Sequence, residues 1–526
     1  MIRHGGFLRS WHLRGLPITI LAVRFFGMKT LLVLPIIVPA ITGVCALLAR
    51  RHRTVQRVLG VFGAAVLFGA GTLIIAEVHA HGIQAVQMGN WPAPFGITLV
   101  VDPLSAGLVG ISGFVALAVT VYALAGIDEV REQFGFHPLF HLLLMGINGA
   151  FITGDLFNLY VWYEVLLIAS FALLVLGNER KQLDGAVKYV GINLVASAAF
   201  LSSVGILYGL TGTLNMADLA GSMEPVRELG LEPVVAMLFL IGFGIKAALF
   251  PLFYWLPASY HTPPAPIAAI FAGLLTKVGV YSLLRVFTLL FPNPSGYTQA
   301  VLLIVAGATM LLGVFGALVQ QHVLRLLAFL VISAMGYVVM GLGFFTTLGL
   351  AGAVFYVFQD VPVKTSLFLI GGLMERETGT SEIGRMGGLY QYRPLLATAF
   401  IVPAFSLAGF PPFPGFWGKL TLIQAGLAQE RWAIVAVALV VGLLTLLAVA
   451  QVWGRAFWQS ATVEEREEFG ADDPRGVRAL LQGPVAVLAG ILFALGCYAE
   501  PLLAFAHDAA VHLTDSGPYI QAVLGG

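Results

Sequence analysis

Apolar positions along this chain run together in long stretches, separated by short polar links. About fourteen of these stretches have helical length, starting near Leu31, Val58, Leu104, Leu139, Leu156, Val187, Val234, Ile267, Ala300, Val323, Leu348, Leu395, Trp432 and Val485. A run of roughly 20 apolar residues matches the hydrocarbon thickness of a bilayer. In lipid every backbone N–H and C=O must be paired inside the segment, which a helix achieves. A barrel would need alternating strands of about 10 residues, and these runs are longer and unbroken. The pattern predicts an all-α polytopic membrane protein of about 14 transmembrane helices.

Two stretches are interrupted by proline, which removes a helix donor and clashes one turn back. The first reads Gly242-Phe243-Gly244-Ile245-Lys246-Ala247-Ala248-Leu249-Phe250-Pro251, with Pro257 following. The second reads Gly409-Phe410-Pro411-Pro412-Phe413-Pro414-Gly415-Phe416-Trp417-Gly418 and leads into Lys419. Interrupted helices expose backbone polar groups, and in transporters with inverted repeats they point to the ion path. The two breaks lie five spans apart, an odd number, so their helices run in opposite directions. Two inverted five-helix repeats, each with a discontinuous helix, would produce this arrangement. The expected organisation is a basic arm or mis-assigned start (1–27), three N-terminal helices (28–137), a first repeat (138–292), a second repeat (298–458), and an acidic loop, final helix and C-terminal tail (459–526). The segment from His79 to Asp102 carries Gly89, Trp91, Pro92 and Pro94, then alternating Ile97, Leu99 and Val101. It is expected to form a short hairpin on the membrane, with Trp91 as an interfacial anchor.

Composition agrees. Of 526 residues, 59% are hydrophobic and only 10% are charged, and the mean hydropathy of +0.91 excludes both a soluble globule and a disordered chain. The net charge of +1 excludes a nucleic-acid footprint. The two cysteines, Cys45 and Cys497, both sit in apolar runs and argue against a disulfide framework or zinc site. No enzyme motif or cofactor motif is present, so no catalytic chemistry is expected. Energy for transport would come from an ion gradient or a partner subunit.

Lys and Arg fall unevenly. One set of loops carries Arg50, Arg51, Arg53, Arg57, Arg131, Arg180, Lys181, Lys188, Arg325, Arg376, Arg385, Arg393, Arg455, Arg466, Arg475 and Arg478. The other carries Lys29, Arg227 and Arg431. The first set is therefore expected in the cytoplasm of a bacterial cell, with both ends of the bundle outside. The acidic run Glu464 to Glu468 reads as a solvated loop. Arg3, Arg9, Arg14 and Arg24 do not fit this sidedness. Met28-Lys29 before an apolar run looks like a natural start, so residues 1–27 are expected to be dispensable or to precede the true start.

A central Lys or Asp costs roughly 2.5–3.5 kcal/mol to insert. Such residues persist where they line a hydrated path or pair with one another. Lys246, Lys277, Lys364 and Glu164 lie deep within spans, and Lys419 follows a break. Lysine suits proton transfer when desolvated, since burial disfavours its charged form and a nearby carboxylate favours it. Glu164 and Lys246 are read as such a couple. Asp155 is a weaker candidate, because it can equally cap a helix. Asp360 and Lys364, four residues apart, can equally form a static pair. His261 sits in a turn before Thr262-Pro263-Pro264, where a histidine is often incidental. Arg285 is expected to snorkel outward and has no assigned role.

Four stretches carry a resemblance. They are Gly154-Asp155-Leu156-Phe157-Asn158-Leu159-Tyr160-Val161-Trp162-Tyr163-Glu164, the Lys246 helix with Phe250-Pro251 and Trp255-Leu256-Pro257, Leu275-Thr276-Lys277-Val278-Gly279-Val280-Tyr281, and Gly415-Phe416-Trp417-Gly418-Lys419. With these in this order, the chain resembles the proton-pumping, antiporter-like subunits of respiratory complex I, membrane hydrogenases and Mrp-type multisubunit cation/proton antiporters. It is most similar to the D-type branch of the Mrp subunits, on Gly154 to Val161 and on Tyr260-His261-Thr262-Pro263-Pro264-Ala265-Pro266. The resemblance implies 14 helices and two inverted repeats. It implies Glu164 and Lys246 as the switch of a first half-channel, Lys277 as central relay, Lys364 on a connecting axis and Lys419 as gate of a second half-channel. It also implies partners: other antiporter subunits, Na+ or K+, protons and membrane lipids, but no nucleic acid. Gln359 departs from the family, where histidine is frequent, and Arg325 stands where a pair of cations is common. The main alternative is a proton-pumping subunit of a redox complex, separable by neighbouring genes. A non-transporting scaffold would gain little from five buried ionisable residues.

Overall fold

A computed structural model describes residues 28–292, 296–460 and 474–525. The basic arm, Arg466 and the acidic run Glu464 to Glu468 lie outside them. The described chain is nearly all helix. In order it forms α1 (Met28–Leu48), α2 (Arg53–His81), strands β1 (Gln84–Gln87) and β2 (Thr98–Val101), α3 (Pro103–Gly126), α4 (Phe136–Ile152), α5 (Leu156–Leu174) and α6 (Arg180–Thr211). Next come α7 (Glu232–Lys246), α8 (Trp255–Ser259), α9 (Ala265–Ile270) and α10 (Thr276–Leu290), then α11 (Gly296–Leu318), α12 (Val323–Gly343) and α13 (Thr347–Thr378). The chain ends with α14 (Pro394–Ala408), α15 (Pro414–Ala428), α16 (Trp432–Val452), α17 (Arg475–Cys497), α18 (Glu500–Thr514) and α19 (Gly517–Leu524).

Among the described residues, 11 helices are long and apolar enough to cross a membrane, with α9 and α10 joined as one through a π turn at Phe271–Leu275. The chain is a multi-pass membrane protein. α4 and α14 are apolar but shorter. The most buried helices are not the most apolar. The α9–α10 span and α13 are wholly enclosed by neighbours, yet α13 has the lowest hydropathy of the spanning set. Apolar α16 and α1 instead present much of their surface outward, as lipid-facing helices do. The charges therefore sit where protein, not lipid, surrounds them.

The expected hairpin is present. β1 and β2 pair antiparallel, Gln84 opposite Val101 and Gln87 opposite Thr98. β2 is buried throughout, and the Thr98 carbonyl accepts the Gly154 amide at 2.8 Å, fixing the link from α4 into α5. Trp91 at its tip is exposed. The residues after α17, expected to be a tail, instead form α18 and α19. α18 packs along α13, where Phe505 meets Phe358 at 5.7 Å between ring centroids. α19 packs on β1, and Gln87 Nε2 donates to the Val523 carbonyl at 3.1 Å.

Several of the basic loop residues are tied by ion pairs to carboxylates, one of them buried. Glu132 is buried between Arg53 and Arg57, at 3.0 and 2.8 Å. Arg131 joins Asp128 and Glu179. Burial alone would raise Glu132, but His137, Arg57 and Arg53 hold its carboxyl down to about 2.

Candidate functional site

Both predicted breaks occur. α7 ends in a Schellman turn: the Ala248 amide bonds to Ile245 O and the Leu249 amide to Gly244 O, with Ala248 at φ +56°. Trp255 Nε1 donates to the Ile245 carbonyl at 3.0 Å, and Thr309 Oγ1 accepts the Phe250 amide at 3.0 Å. Polar groups freed by the break are thus satisfied by side chains, as a membrane interior requires. α14 ends in the same way at Gly409, φ +84°, with the Phe410 amide reaching Phe405 O. Ser406 Oγ accepts the Gly415 amide at 3.1 Å across this break and donates to Gln359 Oε1 at 3.1 Å.

The lysines stand differently in their breaks. Lys246 is the last residue of α7, whereas Lys419 lies in the second turn of α15. Lys419 nevertheless reaches back, donating to the Leu407 and Ala408 carbonyls at 2.9 and 3.0 Å. Both lysines therefore stand at the C-terminal end of a half-helix, where unpaired carbonyls favour a cation. Each also faces a tyrosine. Lys246 Nζ is 5.5 Å from the Tyr163 ring centroid and Lys419 Nζ is 4.7 Å from that of Tyr337.

The expected Glu164–Lys246 pair is not closed. The Glu164 carboxylate accepts from Ser197 Oγ at 2.6 Å. The buried Lys246 ammonium has no hydrogen-bond partner among the described residues. The two remain within electrostatic reach. The physical reason is that the aromatic face of Tyr163, on α5 like Glu164, takes the ammonium in place of the carboxylate.

The centre of the site is tighter than helix periodicity alone implies. Lys364, four residues along the same helix, lies 3.9 Å from the Asp360 carboxylate. The closer partner of Asp360 is Lys277, at 2.7 Å from Oδ2, off the hydrogen-bonding direction. All three side chains are buried. Lys277 Nζ also donates to the Ala272 carbonyl in the π turn at 2.9 Å, and Lys364 Nζ to Leu330 O at 2.8 Å. Such π turns are frequent at functional sites. Gly279 sets the approach of α10 to the first break, since a Cβ there would meet the Ala247 amide nitrogen at 2.5 Å. The Tyr163 hydroxyl then spans to α10, donating to Val278 O at 3.0 Å and lying 2.9 Å from Ser282 Oγ.

The weaker candidates separate. Asp155 caps α5, accepting the Asn158 amide at 2.7 Å, which accounts for it structurally. Burial, with Arg325, His322 and Lys181 nearby, pushes His261 down to about 4. The ion pairs of the central lysines do not include it. Arg285 does not snorkel. It is 3% exposed and pairs with Asp102 at 2.6 Å, because Asp102 faces it from the start of α3. Sequence reasoning missed Asp102, Tyr163, Tyr337, Ser197 and Ser406 as site residues. For Arg285 a signal existed: it follows Lys277 by eight residues and so shares its helix face.

A family profile described as NADH:quinone oxidoreductase/Mrp antiporter, transmembrane, matches residues 153–445, which contain every candidate above except Asp102. The chain is 43% identical over 498 residues to the D subunit of the Na(+)/H(+) antiporter of Alkalihalophilus pseudofirmus, covering 94% of this chain and 100% of that one. It is 36% identical over 499 residues to the protein of the same name from Bacillus subtilis, again covering 94% and 100%. A chain in the solved Mrp complex of a Dietzia species superposes with a TM-score of 0.86 at 31% identity, over 95% of this chain and 100% of that one. The chain belongs to the NADH:quinone oxidoreductase/Mrp antiporter transmembrane family.

Proposed function

We propose that this chain is the D-type membrane subunit of a multisubunit monovalent cation/proton antiporter and carries protons along its buried lysines. It is a secondary transporter subunit rather than an enzyme. One observation carries the reading: Lys246, Lys277, Asp360, Lys364 and Lys419 are all buried in a membrane bundle, yet a single carboxylate serves the two central ammonium groups. A static stitch pairs its charges, whereas a relay needs ammonium groups that can be emptied and refilled. Glu164 and Lys246 form the first switch, Lys277 the central relay, Lys364 the link and Lys419 the second gate. Gln359 does not titrate, so Asp360 and Lys364 hold the middle.

The 14-span, two-repeat plan is part of this proposal. It is supported by the paired breaks and by the tyrosine under each break lysine. The lysines lie 173 positions apart and the tyrosines 174. The basic loops, with Glu132, Arg53 and Arg57, are placed in the cytoplasm of a bacterial cell, and both termini outside. The other antiporter subunits, Na+ or K+, protons and lipids are the partners. The relatives' shared name, an antiporter subunit, favours this over a redox-driven pump.

The test is to express the whole gene cluster in cells lacking their own sodium/proton antiporters and follow a pH-sensitive dye in everted vesicles. Added Na+ or K+ collapses the gradient in the wild-type complex, and the active salt identifies the cation. An assembled complex that responds to neither salt contradicts the reading.

A further inference from the structure

A second buried charge pair lies off the lysine axis, under the C-terminal helices. Lys277, Tyr281 and Arg285 follow at four-residue steps and share one face of α10. From Tyr281 onward the polar groups touch in series. The Tyr281 hydroxyl donates to the Phe151 carbonyl at 2.8 Å and stands 3.4 Å from Ser105 Oγ. Arg285 Nη2 lies 3.5 Å from Ser105 Oγ and 2.6 Å from Asp102 Oδ2. Asp102 Oδ1 accepts the Ser105 amide at 2.9 Å. Tyr519 of α19 covers the guanidinium, its ring centroid 5.0 Å from Arg285 Cζ, and is itself buried. Arg285 Nε is buried without a hydrogen-bond partner among the described residues.

A structural stitch between α3 and α10 needs only the ion pair. It does not require the Tyr281 and Ser105 hydroxyls in series beside it, an unpaired donor, or an aromatic cover supplied by the last helix. We propose that this file is a proton branch from Lys277 to the hairpin face, held shut by the Arg285–Asp102 pair beneath Tyr519. It rests on Lys277 being the central relay. With the pair closed, Arg285 occupies the carboxylate. When Tyr519 lifts and the guanidinium swings away, Asp102 becomes a proton acceptor. Tyr281 then gives its proton toward Ser105 and takes one from the Lys277 side, through water across the intervening helical turn. Arg285 keeps its charge throughout.

The experiment uses the whole complex in everted vesicles. The pH gradient is built by respiration, the respiratory chain is inhibited, and passive decay is followed before any cation is added. Loss of a desolvated cation–π contact favours the open state, so Tyr519→Ala is expected to speed decay about fivefold or more. Tyr519→Phe, which keeps the ring, decays as wild type. Adding Lys277→Ala to Tyr519→Ala restores slow decay, an outcome that a merely loosened bundle does not give. Wild-type decay in an assembled Tyr519→Ala complex overturns the proposal, as does a leak that survives Lys277→Ala. Should the alanine variant not assemble, Tyr519→Leu is read in the same way. Loss of the antiport reading shows separately, as a wild-type complex indifferent to Na+ and K+.

Discussion

Replacing Asp360 by Asn removes the carboxylate that contacts two buried ammonium groups while keeping the side chain's shape. Lys277 lies 2.7 Å and Lys364 3.9 Å from the carboxylate. Coulomb's law at an effective dielectric of about 20 gives about 6 kcal/mol at the shorter distance and about 4 kcal/mol at the longer. Desolvation offsets part of this, and breaking a buried pair by removing one partner costs about 3–5 kcal/mol. In Asp360→Asn the protonated state of the central pair therefore becomes harder to populate. If a proton must reside on Lys277 in every cycle, a loss of about 3 kcal/mol slows exchange about 100-fold. The assay is cation-driven collapse of the pH gradient in everted vesicles, with assembly followed on native gels. Asp360→Glu, which keeps the charge, is expected to retain a measurable part of the rate. An assembled Asp360→Asn complex exchanging within about threefold of wild type, a change under about 1 kcal/mol, would refute the reasoning.

Other substitutions test other parts of the arrangement. Gly409→Ala places a Cβ 2.7 Å from Lys419 Cδ at a positive φ, so it is expected to cost about 1–2 kcal/mol in strain and to displace the lysine, read as loss of exchange in an assembled complex. Ser197→Ala removes the hydroxyl that holds the Glu164 carboxylate, a charged hydrogen bond of about 1.5–3 kcal/mol, and should slow exchange about tenfold or more in an assembled complex, whereas Ser197→Thr should not. Glu132→Gln leaves Arg53 and Arg57 without their buried partner and should lower stability at neutral pH by about 3 kcal/mol, measured by thermal unfolding in detergent. Because the folded Glu132 is depressed to about 2, its stabilisation is present above the unfolded value near 4.5 and lost as pH falls from there through 2. The gap between variant and wild type should close over that window.

The helices and their breaks were legible because they are local. A long apolar run needs a helix in lipid whatever surrounds it, and Pro251 or Pro411 interrupts one regardless of its neighbours. The lysines were legible for the opposite reason, since each violates its local pattern and so requires a special environment. The choice of partner was not legible. Asp360 has a lysine four residues along its own helix, yet its shorter contact is with Lys277 on another helix. Helix periodicity says which residues share a face, not which helix that face meets. Arg285 and Asp102 are 183 positions apart, and only the tertiary packing brings the start of α3 to α10. The C-terminal helices escaped notice because α18 is too short to signal a span. The Tyr163 and Tyr337 rings were masked by ordinary aromatic content, since nothing local marks a tyrosine as the seat of an ammonium.

The central claim is that the two break lysines carry protons. The direct test is cation-driven proton flux through the purified, reconstituted complex with Lys246→Ala and Lys419→Ala made separately. Each variant is expected to assemble, still bind its partner subunits, and lose flux by about 100-fold or more, as a group needed in every cycle would. Wild-type flux in either assembled variant would contradict it, and would leave that lysine as a structural cation at a broken helix.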